Sequence, residues 1–345
     1  MAPAKMRAAF VVKPGLVEVR ETSVPSPGPE EVLIKIAFTG ICGTDMAILK
    51  GLYSAEHLPL IPGHEFSGRV AAVGSSVSGL AQDQPVTADI NMGCGTCFYC
   101  RQNAILMCPQ MKQLGIHTHG AMAEYLALPA KYVRVLPENL DLASAALLEP
   151  VSCVVRAARM AGLTFGKSLA VLGAGPAGLL HLQMARICGA APVVVIGKHQ
   201  ERLEMARELG ADYTILHGPD EARELKSCTQ GRGPDFLIES TGRIESYEAA
   251  FKLVRPGGRI MAFGLTEAGR TARFEPFQVV LQELSLTGSV AGMGEDVYQA
   301  INLVAHGRFN LAPFTSVRLP LERIAEGFDR VEQDKSVLKV LISMS

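Results

Sequence analysis

SLAVLGAGPAGLL, residues 168–180, reads as an apolar strand that passes through three glycines, Gly173, Gly175 and Gly178, into a helix begun by Pro176 and Ala177. Glycines at this spacing allow a tight turn, close approach of a ligand to the backbone, and contact between helix and strand. A pyrophosphate then rests on the helix N-terminus. The glycine pattern alone is weak evidence; a strand before it and a helix after it make a dinucleotide site the expected reading, with a turn serving only packing as the alternative. A site for NAD would carry an acid at the end of the next strand, where it bonds the ribose hydroxyls. APVVVI, residues 191–196, runs instead into Gly197 and Lys198. Lys198, with Arg202 one helical turn further on, would pair with a 2'-phosphate, so NADP is expected over NAD. The competing reading makes both cations solvated charges at a helix start.

Working outward from this turn, apolar strands and helical segments alternate. Strands are expected at 168–172, 193–196, 235–239, 259–263 and 284–290, with helices from 177, over 201–209 and over 245–254. Such alternation predicts a parallel sheet with helices on both faces. Before position 141 the pattern is short strands broken by Gly and Pro. Val32, Ile34, Ile36 and Phe38 alternate with their neighbours, and further short runs fall at 69–73, 85–90, 124–128 and 132–136. Between the two halves, LASAALLEPVSCVVRAARMAG is helical with Pro150 inside it, which predicts a break near Glu149. The tail adds helices near 297–305 and 321–332 and a strand at 337–342.

With 345 residues, 48% of them hydrophobic and 19% charged, the chain has the balance of two globular domains. A net charge of −1 gives no electrostatic footprint for nucleic acid. The N-terminal MAPAKMRAAFVVKPG lacks the apolar core and cleavage site of a signal peptide, and no apolar run approaches a membrane span, so a cytoplasmic, reducing location is expected.

Cysteines mark a second feature. GCGTCFYCRQNAILMC, residues 93–108, holds Cys94, Cys97, Cys100 and Cys108 at the spacing of a closed tetrahedral zinc cage, a structural rather than a reactive site. A disulfide framework is the alternative, but that belongs to short secreted chains. Elsewhere Cys42 lies in ICGTD, His64 and Glu65 in GHEFSG, and Glu149 in LLEPVS. Singly these are ordinary residues; together, a sequence-distant thiolate, imidazole and carboxylate make an open zinc site.

With Cys42-Gly-Thr44-Asp45, Gly63-His64-Glu65, the cysteine lobe, Glu149-Pro150 and the turn from Gly173 to Gly178 in this order, the chain resembles the zinc-dependent medium-chain dehydrogenases over essentially its full length. Glu149-Pro150 looks like the polyol branch of sorbitol, xylitol, threonine and butanediol dehydrogenases. Ordinary alcohol dehydrogenases place a cysteine where Glu149 falls, and Cys153 is a minor alternative ligand. The resemblance implies an α/β chain: a GroES-like, mostly β catalytic domain over 1–152 with a zinc lobe at 91–110, an inserted Rossmann domain with a doubly wound parallel sheet over 153–292, and a return to the catalytic domain over 293–345. It also implies a substrate cleft between the domains and a homodimer or homotetramer. The apolar LSLTGSV, 284–290, is either a pairing strand or buried in a monomer.

Further implications concern chemistry. One zinc is structural; the other is catalytic, held by Cys42, His64 and either Glu65 or Glu149, and acts as a Lewis acid on a substrate hydroxyl. Thr44 takes the substrate proton and passes it to the cofactor ribose, unless it merely caps a helix. Relatives end this relay at a histidine where this chain has Ala47, and His57 is a candidate substitute. Lys339 falls where relatives place a basic residue near the pyrophosphate, though an exposed strand lysine is the competing reading. The expected reaction is hydride transfer between a nicotinamide cofactor and a secondary alcohol of a polyol, sugar-like or cyclitol substrate, giving the ketone. A hydroxy amino acid, diol or simple alcohol is the alternative substrate, and a non-catalytic zinc-containing binding protein the alternative class; the intact metal set speaks against the latter.

Overall fold

The computed structural model describes residues 2–344. The chain divides into two compact units. The first runs to Glu149 and takes in Met293–Gly307 and the chain from Leu311; the second is Pro150–Gly292 with Arg308–Asn310.

A seven-stranded sheet organises the first unit. Its strands lie in the order Val317–Pro320, Val340–Ser343, Glu31–Gly40, Glu65–Val73, Pro85–Ala88 and Val133–Val135, with Tyr125–Pro129 also paired to Glu31–Gly40. The alternation read at residues 32–38 understates the burial of Glu31–Gly40. Leu33 is as buried as Val32, Ile34 and Ile36, because this strand pairs with three others. Glu65–Val73 starts four residues before the predicted 69–73. Its opening, Glu65-Phe-Ser-Gly68, carries no apolar alternation, and Gly68 is small because a Cβ there would stand 2.3 Å from the Lys35 carbonyl. The hairpin of Lys5–Lys13 and Leu16–Ser23, turning at Pro14-Gly15, was not foreseen.

Register is what assembles the site. The antiparallel neighbour of Gly40 on one side is Leu341, and on the other side Glu65. The last strand of the chain is thereby laid two positions from a loop more than 270 residues earlier, and the Ile41 N–H closes the link by donating to the Val340 carbonyl at 3.0 Å. The cysteine lobe stands on a two-stranded ribbon, Asn91–Met92 with Lys112–Gln113, whose buried side chains lock together through Gln113 Nε2 to Asn91 Oδ1 at 2.8 Å.

In the second unit six parallel strands lie in the order Tyr213–Leu216, Val193–Gly197, Leu169–Leu172, Phe236–Glu239, Arg259–Ala262 and Ser285–Gly288. The order reverses beside Leu169–Leu172, the strand that feeds the glycine turn, and in such sheets ligands bind at that switch point. Every residue of Leu169–Leu172 is buried, so the strand is a continuous apolar run rather than an alternating one. The predicted break near Glu149 is present: Leu142–Ala145 ends, Leu148–Ala161 begins, and Pro150 sits in the first turn, where its missing N–H costs nothing.

Candidate active site and metal centres

Cys42 is the N-cap of the short helix Gly43–Leu49, and its N–H donates to Asp45 Oδ2 at 2.8 Å. The other oxygen of this fully buried carboxylate accepts the Gly63 N–H at 3.0 Å and lies 3.5 Å from His64 Nδ1. Asp45 therefore ties the cysteine loop to the histidine loop, and by occupying the Nδ1 side it leaves the Nε2 lone pair of His64 for a metal. Burial disfavours a charged His64, but the nearby Asp45 carboxylate and Cys42 thiolate outweigh it and raise the imidazole well above its ordinary pKa. Such a field of negative charge is what a divalent cation would neutralise.

Glu65, 1% exposed, begins its strand beside His64. Its Oε1 accepts a hydrogen bond from Lys339 Nζ at 2.7 Å, while Oε2 is buried with no hydrogen-bond partner among the described residues. A side chain at Gly40 would fill that space, since a Cβ there would stand 2.3 Å from Oε2. Cys42, His64 and Glu65 each bring one ligand atom within 4.8 Å of the others. A thiolate, an imidazole and an otherwise unsatisfied carboxylate oxygen fit zinc with a coordination position left for substrate.

Other expected residues lie as follows. Thr44 is inside the helix, half-buried and two residues past the N-cap, so Cys42 rather than Thr44 occupies the capping position. Glu149 is half-buried in the first turn of Leu148–Ala161 and is not a member of the three-residue metal group. Cys153 accepts the Gly292 N–H at 3.3 Å and also stays outside that group. His57 is partly exposed, with its ring edge-on to His117 at 5.5 Å between centroids. Lys339 corrects the surface reading: it is 6% exposed rather than an exposed strand lysine, and its ammonium pairs with Glu65. Asp45 is the functional residue the sequence reading named only as part of a motif. Its signal was the spacing C-x-x-D, an N-cap followed three residues later by an acid.

The four cysteines of the lobe also converge, all within 4.8 Å of one another and none in a disulfide. Backbone N–H groups point at the sulfurs, from Cys97 to Cys94 Sγ, Cys100 to Cys97 Sγ and Gln110 to Cys108 Sγ, each at 3.4 Å. Backbone donors at Thr96 and Cys97 draw the Cys94 thiol down to about 6, whereas burial and the neighbouring sulfurs push Cys100 up to about 12. Four thiolates cannot share this space without a cation, which is the chemistry of a structural zinc.

In the second unit the glycine turn is built as its pattern requires. Gly173 has φ +108, and a Cβ at Gly178 would stand 1.9 Å from the Gly173 carbonyl oxygen. Nothing lies within 4 Å of a Cβ at Gly175, so the backbone there is open to a ligand. Pro176 and Ala177 begin the helix Pro176–Ile187, whose first N–H groups lack helical partners and suit a pyrophosphate. Gly197 ends its strand buried, Lys198 is exposed, and Arg202 is only 9% exposed, unlike a solvated helix-start charge.

A buried thiolate–imidazole–carboxylate group in one unit and a dinucleotide turn in the other define a class, the metal-dependent nicotinamide oxidoreductases. Residues 28–138 match the alcohol dehydrogenase GroES-like domain, and residues 176–306 match the zinc-binding dehydrogenase family. An L-threonine 3-dehydrogenase of Pyrococcus horikoshii is 34% identical over 95% of this chain and 94% of its own. A D-arabitol-phosphate dehydrogenase of Enterococcus avium is 32% identical over 93% and 92%. The chain belongs to the zinc-dependent medium-chain dehydrogenase family. Among solved structures, a zinc-binding dehydrogenase of Sinorhizobium meliloti bound to NADP superposes with a TM-score of 0.93 at 30% identity, covering 99% of this chain and all of the other. An alcohol dehydrogenase of Escherichia coli complexed with NADH gives the same TM-score and coverage at 26% identity, so likeness of fold does not choose between the cofactors. These relatives are named as dehydrogenases, which lends no support to a non-catalytic reading. Among the described residues no helix is long and apolar enough to cross a membrane.

Proposed function

We propose that this enzyme transfers hydride between a secondary alcohol of a polyol or sugar-like substrate and a nicotinamide cofactor, giving the ketone. The observation that supports this reading is the group of half-buried Cys42 with buried His64 and Glu65, whose ligand atoms lie within 4.8 Å of one another, with Glu65 Oε2 lacking a hydrogen-bond partner among the described residues. Bound zinc would supply a Lewis acid that stabilises the alkoxide, and the nicotinamide would accept or return the hydride. The chain does the rest. Cys42, His64 and Glu65 hold the metal, with Glu65 rather than Glu149 the direct third donor. Asp45 orients His64, and Thr44 acts as a relay, accepting the substrate hydroxyl proton while giving up its own toward the ribose hydroxyl of a bound cofactor and from there to solvent. The four cysteines hold a second, structural zinc.

Two finer readings accompany this one. NADP is the preferred cofactor, because the strand Val193–Gly197 ends without an acid and is followed by Lys198. The assembly is a homo-oligomer, because Ser285–Gly288 is an edge strand with Leu286 52% exposed. A hydroxy amino acid is the second substrate reading, favoured by the identity to the threonine 3-dehydrogenase. One experiment covers substrate and cofactor: kcat/KM for nicotinamide reduction across polyols, their phosphates, cyclitols and L-threonine, with NAD and NADP in parallel. A polyol with NADP is expected to give the highest value. Turnover of L-threonine alone would replace the polyol assignment, and a clear advantage for NAD would overturn the cofactor preference.

A further inference from the structure

The two oxygens of Glu65 have different fates. Oε1 is held by Lys339 Nζ at 2.7 Å, and Oε2, on the same buried carboxylate, has no hydrogen-bond partner and faces the space that Gly40 keeps clear. The lysine is as deeply placed as its partner: side-chain exposure is 7% for Lys339 and 1% for Glu65. Neither group can turn to water, and a buried ammonium without its counter-charge is costly. The backbone fixes the pair as well, since Val340 is bonded to Ile41 and Leu341 lies opposite Gly40, which in turn pairs with Glu65. An ion pair held this rigidly decides which oxygen of Glu65 is available.

We propose that Lys339 is a positioning residue that makes Glu65 a one-oxygen donor: by holding Oε1 it presents only Oε2 to the metal and offsets the charge the carboxylate brings. This rests on the reading of Cys42, His64 and Glu65 as a metal centre. Without Lys339 both carboxylate oxygens are free, the donor set becomes richer, and the coordination number rises.

The test uses the full-length protein with zinc kept in the cysteine lobe and Co2+ placed in the Cys42 site, compared between wild type, Lys339→Met and Lys339→Arg. Lys339→Met, similar in length and uncharged, is expected to weaken the visible Co2+ bands, as a higher coordination number does, and to change the rate of Co2+ loss to a chelator about tenfold. Lys339→Arg is expected to restore both. A Lys339→Met spectrum and chelation rate equal to wild type would overturn the proposal. Should Lys339→Met fail to fold, Lys339→Gln keeps a hydrogen-bond donor without charge; an intermediate spectrum supports the proposal and an unchanged one overturns it. Wild-type protein that takes up no Co2+ outside the lobe would instead sink the metal-centre reading on which the proposal stands.

Discussion

Asp45 shows how much one buried side chain can organise. Its oxygens meet the Cys42 N–H, the Gly63 N–H and the Nδ1 edge of His64, so it sets the approach of two donors without being one. Asp45→Asn keeps the size but removes the charge and places an amide where acceptors are needed. It is expected to weaken zinc binding about 10- to 100-fold, the usual cost of losing such a partner; competition with a chelating dye measures this, and unchanged affinity would show that Asp45 serves the loops alone. A second residue sets acid stability. His181 is 1% exposed in the helix Pro176–Ile187, edge-on to Phe263 at 4.4 Å, with no hydrogen-bond partner for either ring nitrogen, and burial pushes its pKa down to about 3. The unfolded chain, with an ordinary imidazole, binds the proton more readily. Stability is therefore full above about pH 6.5 and falls as pH drops toward 3, by on the order of 4 kcal/mol at the bottom of that window. His181→Leu is expected to flatten the dependence of Tm on pH between 6.5 and 4; parallel curves for the two proteins would contradict this.

Elements were legible where periodicity carried the information and hidden where contacts did. The strands Leu169–Leu172, Val193–Gly197 and Phe236–Glu239 are apolar runs that announce themselves. Tyr213–Leu216 and the helix Glu221–Cys228 leave no pattern in the sequence, because that strand buries only Ile215 and the helix only Leu225. Cys42, His64 and Glu65 could be named from their residue types, and the glycine turn from its spacing. The pairing of Lys339 with Glu65 could not, since it arises from sheet register across 274 residues. Ser285–Gly288 is the element with the plainest consequence for assembly. Among the described residues its outer edge is unpaired; Leu286 on the strand and Val290 just after it are each exposed by 52%, and Phe277 and Val280 on the preceding helix Pro276–Leu281 by 65% and 79%. An apolar edge of this kind needs a cover, which a second copy of the same strand would supply in the proposed homo-oligomer. Leu286→Asp is expected to shift the mass in light scattering to a smaller species; an unchanged mass would place the interface elsewhere.

Across the whole molecule each unit has its own core. Phe66, Ile34 and Phe328 anchor the first; Leu172, Ile196 and Leu237 anchor the second. Both groups that could hold a metal lie in the first unit and the glycine turn in the second, so the proposed metal chemistry and cofactor binding are expected to be separable in mutation. Within the first unit the two metal groups are separable too. Cys97→Ser opens the lobe and is expected to lower Tm or break the assembly before it touches turnover. Cys42→Ser is expected to leave the lobe intact and to remove a donor from the proposed catalytic centre. Counting zinc per folded chain in wild type and Cys42→Ser, while recording turnover on the same samples, tests whether this dehydrogenase carries one structural and one catalytic ion. Two ions and activity are expected in the wild type, and one ion with a native circular dichroism spectrum and no turnover in Cys42→Ser. Full turnover in a Cys42→Ser chain that holds only the lobe zinc would contradict this.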